Sequence, residues 1–258
     1  MYGMLVNLTR YRRLLSYLIF LNTKVRYRGS VFGFVWTLFN PLLLMLVLWA
    51  VFSRIGRFEE KNYAVFLLSG LLVWTFFSQS IESAQKSIIQ QASLLQKIFV
   101  PKIIFPLSVV GSNFVHFLFS LVAYVIITYA ASCPLGWTCL ALPLALLMLY
   151  MLTTGLALIM STINIFFRDF DQLTGTLLRA LFYLTPIFYP PDMFGEKAER
   201  LLQINPLYYP VVLTRQVLYY NDMGSAAYWG CGFLYALLIL LIGLVLFSRK
   251  ERNFIFYV

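Results

Sequence analysis

The sequence is poor in ionisable side chains: its 258 residues include 20 Lys or Arg, 10 Asp or Glu and a single His. One His and ten scattered acids cannot supply a Ser-His-Asp triad, a catalytic pair of glutamates or a Cys-His arrangement. The pattern G-x-x-x-x-G-K-[ST] is absent, which excludes ATP hydrolysis by a phosphate-binding loop of this chain. The three cysteines form no cluster with metal-ligand spacing. The chain therefore has neither a recognisable catalytic centre nor its own energy source.

Charge is scarce because apolar residues dominate the composition. Charged residues make up 12% of the chain and hydrophobic residues 61%, and the mean hydropathy is +0.80. A soluble domain carries about 25% charged and roughly 45–50% apolar residues. Too little polar surface is available to coat a soluble globule, so we predict that the chain lies in a bilayer. Its length fits about six crossings of roughly 20 residues each, with connectors.

Long apolar runs are the positive signal, and each approaches the roughly 17–25 residues with which a helix crosses a bilayer. The fifth run is the weakest, because Arg179 interrupts it and Pro186 lies near its end. We predict an all-α membrane protein with six transmembrane helices in a single domain, residues 1–258. The six predicted spans are 31–52, 63–81, 103–131, 140–163, 173–189 and 228–247.

The basic residues are distributed unevenly between the two sides that these spans define. Fourteen of the 20 Lys and Arg fall on the side that holds both termini, and six fall on the other side. Basic residues concentrate on the cytoplasmic side of membrane proteins. Both termini are therefore predicted to be cytoplasmic. The net charge of +10 then lies entirely on that side, which indicates topology rather than nucleic-acid binding.

The spans themselves contain few groups that could carry an ion. Carriers driven by protons or ions place ionisable residues inside their spans, but the first four spans hold only His116. Beside Asn113, His116 is more typical of a polar packing group than of a proton relay. One pair of acids, Asp169 and Asp171, could hold a divalent metal as in glycosyltransferases. The structural alternative is that both acids lie in a short inner loop and favour the start of the helix that follows it.

Three connecting segments have patterns of their own. The stretch 14–22 is too short to span and is flanked by cations, so residues 1–30 are predicted to form an amphipathic helix at the inner interface. The inner loop 82–102 repeats apolar residues at helical spacing and ends before Pro101, which predicts an amphipathic helix for the headgroups or for a groove on another protein. The outer loop 190–227 predicts two short helices, 193–202 and 208–218, broken at Asn205-Pro206.

Tyrosines are concentrated in the second of these outer helices. Tyr208, Tyr209, Tyr219 and Tyr220 all fall between residues 207 and 220. Aromatic residues at this depth usually form an interfacial belt. The alternative is that they edge a pathway and stack on sugar rings. Position alone favours the belt.

Five sequence motifs follow one another along the chain. They are RYRGSVFGFVW at 26–36 followed by NP at 40–41, LLQKIFVPKIIFP at 94–106, FFRDF at 166–170, LTPIFY at 184–189 and NPL at 205–207. Taken together and in order, these motifs resemble those of the polysaccharide-exporting permeases of ABC transporters. That family includes exporters of O-antigen, capsule and teichoic acid, and the O-antigen permeases are the most similar. The likeness runs from about residue 9 to the C-terminus. Two mild departures are Val100, where the family often has Phe, and Lys102, where it often has Arg.

The resemblance implies a homodimer of six-span permeases in the inner membrane of a bacterium. Two copies of a separate ATPase subunit would bind on the cytoplasmic side and would hold ATP and magnesium, so no cofactor is expected in this chain. The exported substrate would be a glycan linked to undecaprenyl diphosphate, with capsule or teichoic-acid export as alternatives. A glycan enzyme using Asp169 and Asp171 is the less favoured reading. Membrane lipids are expected partners and nucleic acid is not.

The resemblance also assigns roles to residues at the inner face. The implied entry for the lipid diphosphate is basic, which suits an anionic headgroup; the same cations could equally set topology and bind generic anionic lipid. The entry residues would be Arg10, Arg12, Arg13, Lys24, Arg26 and Arg28. The residues that couple to the ATPase would be Gln85, Ile88, Ile89, Leu95, Lys97, Arg168, Asp169 and Asp171.

A second group of implied roles concerns the path of the glycan. A long polar polymer must slide without being held, and aromatic side chains offer weak, repeated contacts where charged groups would be costly in the membrane. The implied channel-lining residues are Phe32, Trp36, Phe39, Phe182, Tyr183 and Tyr189. The implied outer gate residues are Glu196, Arg200, Tyr208 and Tyr209.

Overall fold

The computed structural model describes residues 10–26, 33–55, 62–95, 100–133 and 135–257, and this part of the chain is helical, with no β-strand. The all-α prediction is confirmed. Shorter turns of 3-10 helix cover Gly33–Val35, Trp137–Ala141, Pro191–Phe194 and Glu251–Phe256, and a π-helical turn covers Gln216–Tyr220. The α-helices are α1 Arg12–Val25, α2 Trp36–Ile55, α3 Tyr63–Gln90, α4 Ala92–Leu95, α5 Ile104–Ala130, α6 Leu142–Phe166, α7 Phe170–Leu184, α8 Glu196–Leu202, α9 Tyr208–Arg215 and α10 Ala226–Lys250.

Among the described residues, four helical stretches are long and apolar enough to cross a membrane. They are α3, α5, α6 with its preceding 3-10 turn, and α10. They match the second, third, fourth and sixth predicted spans. The apolar part of α2, Leu38–Phe52, is shorter, and α7 has 15 residues, about 22 Å at 1.5 Å per residue against roughly 30 Å of hydrocarbon. The count of six spans therefore stays a prediction.

Helix α3 is the centre of the molecule. In the most apolar stretch of 18 residues in α3, 78% of the residues are buried, whereas in that of α10 only 22% are. Helices α5 and α6 pack against α3, and α10 packs mainly against α6. The α6–α10 pair is close because glycines face each other: a Cβ on Gly155 would lie 2.7 Å from the backbone oxygen of Ile239, and Gly243 approaches Gly155 in turn. Small residues allow membrane helices to approach in this way.

The predicted separate helix in the inner loop 82–102 is wrong in its boundary. Helix α3 continues without interruption from Tyr63 to Gln90, and a break at Gln91 precedes the single turn α4. No Gly or Pro lies between Ile81 and Gln90 to end the helix. Its Ile88 packs into a cluster with Ile104 and other apolar residues, which holds the last turns of α3 against the rest of the domain.

Candidate functional site

The chain leaves helical geometry after α7, at the motif LTPIFY. Helix α7 ends at Leu184, and Thr185 is extended, as expected for a residue before proline. The fifth predicted span, 173–189, is therefore wrong in its last five residues, because Pro186 cannot continue the helix. The end of a helix leaves carbonyl oxygens without donors. In a membrane protein these oxygens need donors from within the protein.

Arg215 of α9 supplies two donors to the carbonyl oxygens of the non-helical segment that follows α7. Its Nη1 donates to the carbonyl oxygen of Pro186 and its Nη2 to that of Ile187, both at 2.7 Å. The guanidinium lies 3.7 Å from the centre of the Phe66 ring on α3, and the residue is 1% exposed. It fits because Gly70 has no side chain: a Cβ there would lie 2.8 Å from Nη2. Arg215 therefore fastens the segment after α7 to α3.

Two further side chains complete the attachment of this segment. Asn205, of the motif NPL, donates from Nδ2 to the carbonyl oxygen of Leu184 at 3.1 Å and to the hydroxyl of Thr185 at 2.9 Å. The Tyr63 hydroxyl of α3 donates to the carbonyl oxygen of Phe188 at 2.7 Å. The motifs LTPIFY and NPL are thus in direct contact, and their polar groups satisfy each other.

The short helices α8 and α9 border an open cavity of about 550 Å³ next to Arg215. One oxygen of Glu199, Oε1, accepts hydrogen bonds from the hydroxyls of Tyr208 at 2.7 Å and Tyr228 at 2.9 Å. Burial, with the Glu199 carboxylate adding to it, raises the pKa of Tyr208. The remaining acids that line the cavity are Asp192 and Asp222. Glu199 therefore joins α8 to α9 and to the start of α10.

The C-terminal end of α3 meets the start of α7 through one carboxylate. Oδ1 of Asp171 accepts a hydrogen bond from Nε2 of Gln85 at 2.6 Å and lies 3.0 Å from Nζ of Lys86. Nδ2 of Asn164 donates to the backbone oxygen of Gln85 at 3.0 Å. Beside this contact, Arg168 and Asp169 are exposed in the loop between α6 and α7. This contact thus joins the end of α3 to the start of α7.

A family model described as "ABC-2 type transporter" matches residues 13–219, which is most of the chain. The chain belongs to the ABC-2 type transporter family. It is similar to the O-antigen export system permease protein RfbA of Klebsiella pneumoniae, with 30% identity over 233 residues, which cover 90% of this chain and 89% of the relative. RfbA of Myxococcus xanthus is 33% identical over 216 residues, 83% of each chain. The polysialic acid transport protein KpsM of Escherichia coli is 23% identical over 236 residues, 89% of this chain and 90% of the relative.

In this ABC-2 transporter, the predicted ATPase-coupling residues divide between interior and surface. Gln85 and Ile88 are buried within the chain, and Ile89 is partly buried, whereas Arg168 and Asp169 are exposed and Asp171 is partly exposed. Lys97 and the side chain of Leu95 lie outside the described part. A cavity of about 550 Å³ at the exposed loop is lined by Phe166, Phe167, Arg168, Asp169, Phe170 and Leu173.

The basic helix α1 lies against α5 through polar contacts between small side chains. Nδ2 of Asn22 donates to Oγ of Ser108 at 3.2 Å, and the hydroxyls of Thr23 and Ser112 are 3.1 Å apart. The cationic side chains of this segment stay exposed. Arg28 lies outside the described residues. The exposed cations are Arg10, Arg12, Arg13, Lys24 and Arg26.

The predicted channel aromatics form two groups that differ in exposure. Trp36 and Phe39 make an edge contact at 6.5 Å near the start of α2, and both are exposed. On α7, Phe182 is partly buried and Tyr183 is exposed, with their rings 5.3 Å apart. Tyr189 is 6% exposed and donates to the carbonyl oxygen of Tyr183, so its ring does not face outward in the single chain. Phe32 lies outside the described residues.

The predicted outer gate residues are similarly divided. Tyr208 is 0% exposed and bound to Glu199, which makes it part of the packing between α8 and α9. Tyr209 is partly buried and Arg200 is exposed. The side chain of Glu196 lies outside the described part. The bounds of the two helices, Glu196–Leu202 and Tyr208–Arg215, fall within the predicted segments 193–202 and 208–218.

Sequence reasoning missed Arg215, which it counted only as an outer cation. The available signal was a single charged residue in the otherwise uncharged stretch 207–220. A lone cation among apolar residues near the membrane is usually buried with partners and has a specific task. Its partners Pro186 and Ile187 are 29 and 28 positions away in the sequence, so the sequence could not reveal this pairing.

Proposed function

We propose that this chain is the transmembrane subunit of an ABC exporter that moves a lipid-linked polysaccharide out of the cytoplasm. The observation that carries the proposal is the likeness to O-antigen export permeases at 30–33% identity over at least 83% of both chains. Weaker matches to proteins named for polysialic acid transport and capsule polysaccharide export point to the same substrate class. O-antigen is the favoured cargo, linked to undecaprenyl diphosphate, and capsule or teichoic-acid glycan is the alternative.

The energy for export is assigned to a separate ATPase subunit, in two copies, that binds the cytoplasmic surface. The absence of a phosphate-binding loop from the sequence supports a separate subunit. The exposed loop with Phe167, Arg168 and Asp169 beside the end of α3 offers it a contact. Because Asp171 ties this loop to Gln85 and Lys86, a force on the loop reaches both α3 and α7. ATP and magnesium would be held by that subunit.

The glycan path is assigned to the interface of a homodimer in the bacterial inner membrane. Helix α2 is largely exposed along its length, with large apolar side chains such as Leu46, Val47 and Trp49 facing outward. The aromatic residues Trp36, Phe39 and Tyr183 are exposed as well. A second copy placed on these faces would enclose a pathway edged by aromatic rings.

A second candidate, a glycan enzyme that uses Asp169 and Asp171 to hold a metal, finds less support. Asp171 already accepts a hydrogen bond from Gln85 and pairs with Lys86. Among the described residues, no group of three or more His, Cys, Asp or Glu could hold a metal ion. Replacing both acids by Asn separates the readings: an enzyme would lose a metal-dependent transfer, whereas a permease would lose ATPase coupling.

Deletion of the gene in its own bacterium tests the main proposal. Lipid-linked glycan is expected to accumulate in the cytoplasmic leaflet and to disappear from the cell surface, and the wild-type gene should restore export. The purified chain should hydrolyse no ATP and should co-purify with its ATPase. The charge-reversed double variant R168E/D169R should weaken that complex, whereas K197Q, on exposed outer helix α8, should not. Unchanged surface glycan after deletion would contradict the proposal.

A further inference from the structure

A polar cavity lies inside the domain, apart from both surfaces described above. Its volume is about 210 Å³, and it is enclosed by α2, α3 and α5 together with Arg26 at the end of α1. Polar side chains inside a membrane domain are costly and are kept mainly where they have a task. The polar residues of its lining are Arg26, Asn40, Thr75, Gln79, Asn113, His116 and Ser120.

The deepest polar groups of the cavity are on α5 and are almost fully enclosed by protein. Asn113 is 4% exposed and His116 is 3% exposed. The Nδ2 group of Asn113 has no hydrogen-bond partner among the described residues. A buried amide without a partner destabilises the fold, so such groups usually have a protein, water or ligand partner. Asn113 therefore marks a position where a bound polar group would be stabilised.

The cavity extends along α5 away from the N-terminal end of this helix, the end that is predicted to lie at the inner interface. Asn113 is nine residues beyond Ile104, the first residue of α5, which corresponds to about 14 Å along the helix. Arg26 is exposed at the interfacial end and donates from Nη1 to Oε1 of Gln79 at 3.3 Å. A lipid headgroup in the inner leaflet could thus place its anionic part at Arg26 and a neutral polar part beside Asn113.

The lining chemistry narrows what this ligand can be. No Asp or Glu is found among the described lining residues, which argues against a metal ion or another cation. Asn40, Gln79 and Asn113 offer amide donors and acceptors, which suit hydroxyl groups, and Arg26 suits a phosphate. Pockets for drug-sized ligands measure roughly 300–1,000 Å³, so a cavity of about 210 Å³ takes one small group rather than a length of polymer.

We propose that this cavity binds the phosphate-linked polyol at the head of an inner-leaflet lipid. This inference rests on the proposed function: the ligand is the first sugar of the lipid-linked glycan. The diphosphate of the lipid lies at Arg26, and the hydroxyl groups of the sugar lie at Asn113 and Gln79. An ordinary phospholipid with a polyol headgroup presents the same chemistry and is the competing source. The cavity is then a loading site, reached before the glycan enters the export path.

The test measures lipid binding to the full-length chain in complex with its ATPase. Native mass spectrometry follows three probes: the native lipid-linked glycan trimmed to its first sugar, the same polyprenyl diphosphate without sugar, and phosphatidylglycerol. The wild type should bind the sugar-bearing probe at least about tenfold more tightly than the sugarless one, an effect on the scale of about one hydrogen bond. N113L and Q79L should each remove this preference while retaining affinity for the diphosphate, and R26Q should weaken binding of both diphosphate probes.

Thr128 is a buried polar residue of the same helix, bonded to the carbonyl oxygen of Tyr124 and outside the cavity, so T128V should keep the preference. Equal binding of the two diphosphate probes to the wild type would overturn the inference, and so would a preference that survives in both N113L and Q79L. The proposed function would still stand in either case if the chain supports glycan export in cells. Phosphatidylglycerol competing as well as the sugar-bearing probe would also overturn the assignment to the glycan.

Discussion

Replacing Arg215 by methionine should destabilise the protein severely. The substitution removes two hydrogen bonds of 2.7 Å from a charged donor and the contact with the Phe66 ring at 3.7 Å. It also leaves the carbonyl oxygens of Pro186 and Ile187 in the protein interior without this donor. Removing one partner of a buried charged contact typically costs about 3–5 kcal/mol, although the guanidinium itself regains hydration in the unfolded state. We expect a loss of about this size.

A lysine at position 215 gives a graded version of the same experiment. Its ammonium keeps the charge, but it is a point donor without the planar fork with which Arg215 reaches two carbonyl oxygens at once. R215K should therefore lie between the wild type and R215M. The control K197Q removes an exposed cation of α8 and should change stability by less than about 0.5 kcal/mol.

The assay is equilibrium unfolding of the purified chain in mixed detergent, followed by tryptophan fluorescence. Trp74 is a suitable reporter because its ring lies 5.2 Å from that of Phe182 near the end of α7. If R215M lowers the free energy of unfolding by less than about 1 kcal/mol, or by no more than K197Q does, then Arg215 does not hold the segment after α7. The reasoning from its two bonds would then be refuted.

Three further substitutions test other contacts by the same unfolding assay. E199L leaves the buried Tyr208 hydroxyl without its acceptor and should cost about 1–3 kcal/mol, while E199Q keeps an acceptor and should cost less. D171L should cost a similar amount because Gln85 loses its partner; D171N, which removes mainly an exposed ion pair, should cost about 1 kcal/mol or less. G243L places a side chain against the backbone of α6 and should lower the free energy of unfolding by about 1–3 kcal/mol or more. The control is G230A, whose added Cβ meets open space. A loss of stability in G243L no larger than that in G230A would contradict the close packing of α6 and α10.

Much of the scaffold was predictable because apolar runs translate directly into helices. The predicted span 103–131 and the observed α5, Ile104–Ala130, differ by one residue at each end. The continuation of α3 to Gln90 was not predicted, because a polar, amphipathic pattern was taken for a separate surface helix. Periodicity reports which residues share a helix face, but it does not report whether the helix is joined to the preceding span.

The candidate site was less predictable than the scaffold, because contacts across the sequence decide which side chains are free. Tyr189 and Tyr208 were predicted for the glycan path or its gate, but both are buried and hydrogen-bonded within the chain. Tyrosine suits packing and ligand contact equally well, since it has an apolar ring and a polar end. The sequence alone could therefore not separate these roles. In contrast, Pro186 did indicate where the helix of the fifth predicted span ends, since α7 stops at Leu184.

The contacts at the two ends of α7 impose a condition on any movement of this helix. At the N-terminal end of α7, Asp171 binds Gln85 of α3. Beyond its C-terminal end, Arg215 binds the carbonyl oxygens of Pro186 and Ile187 and stacks on Phe66 of α3. Helix α7 is thus attached to α3 at both ends, and α3 is the most enclosed of the four long apolar helices. A push on the inner loop must then either carry α3 along or break one of these attachments. Because coupling requires an element with two arrangements, the attachment with fewer buried contacts, the partly exposed Asp171, is the one that should yield first.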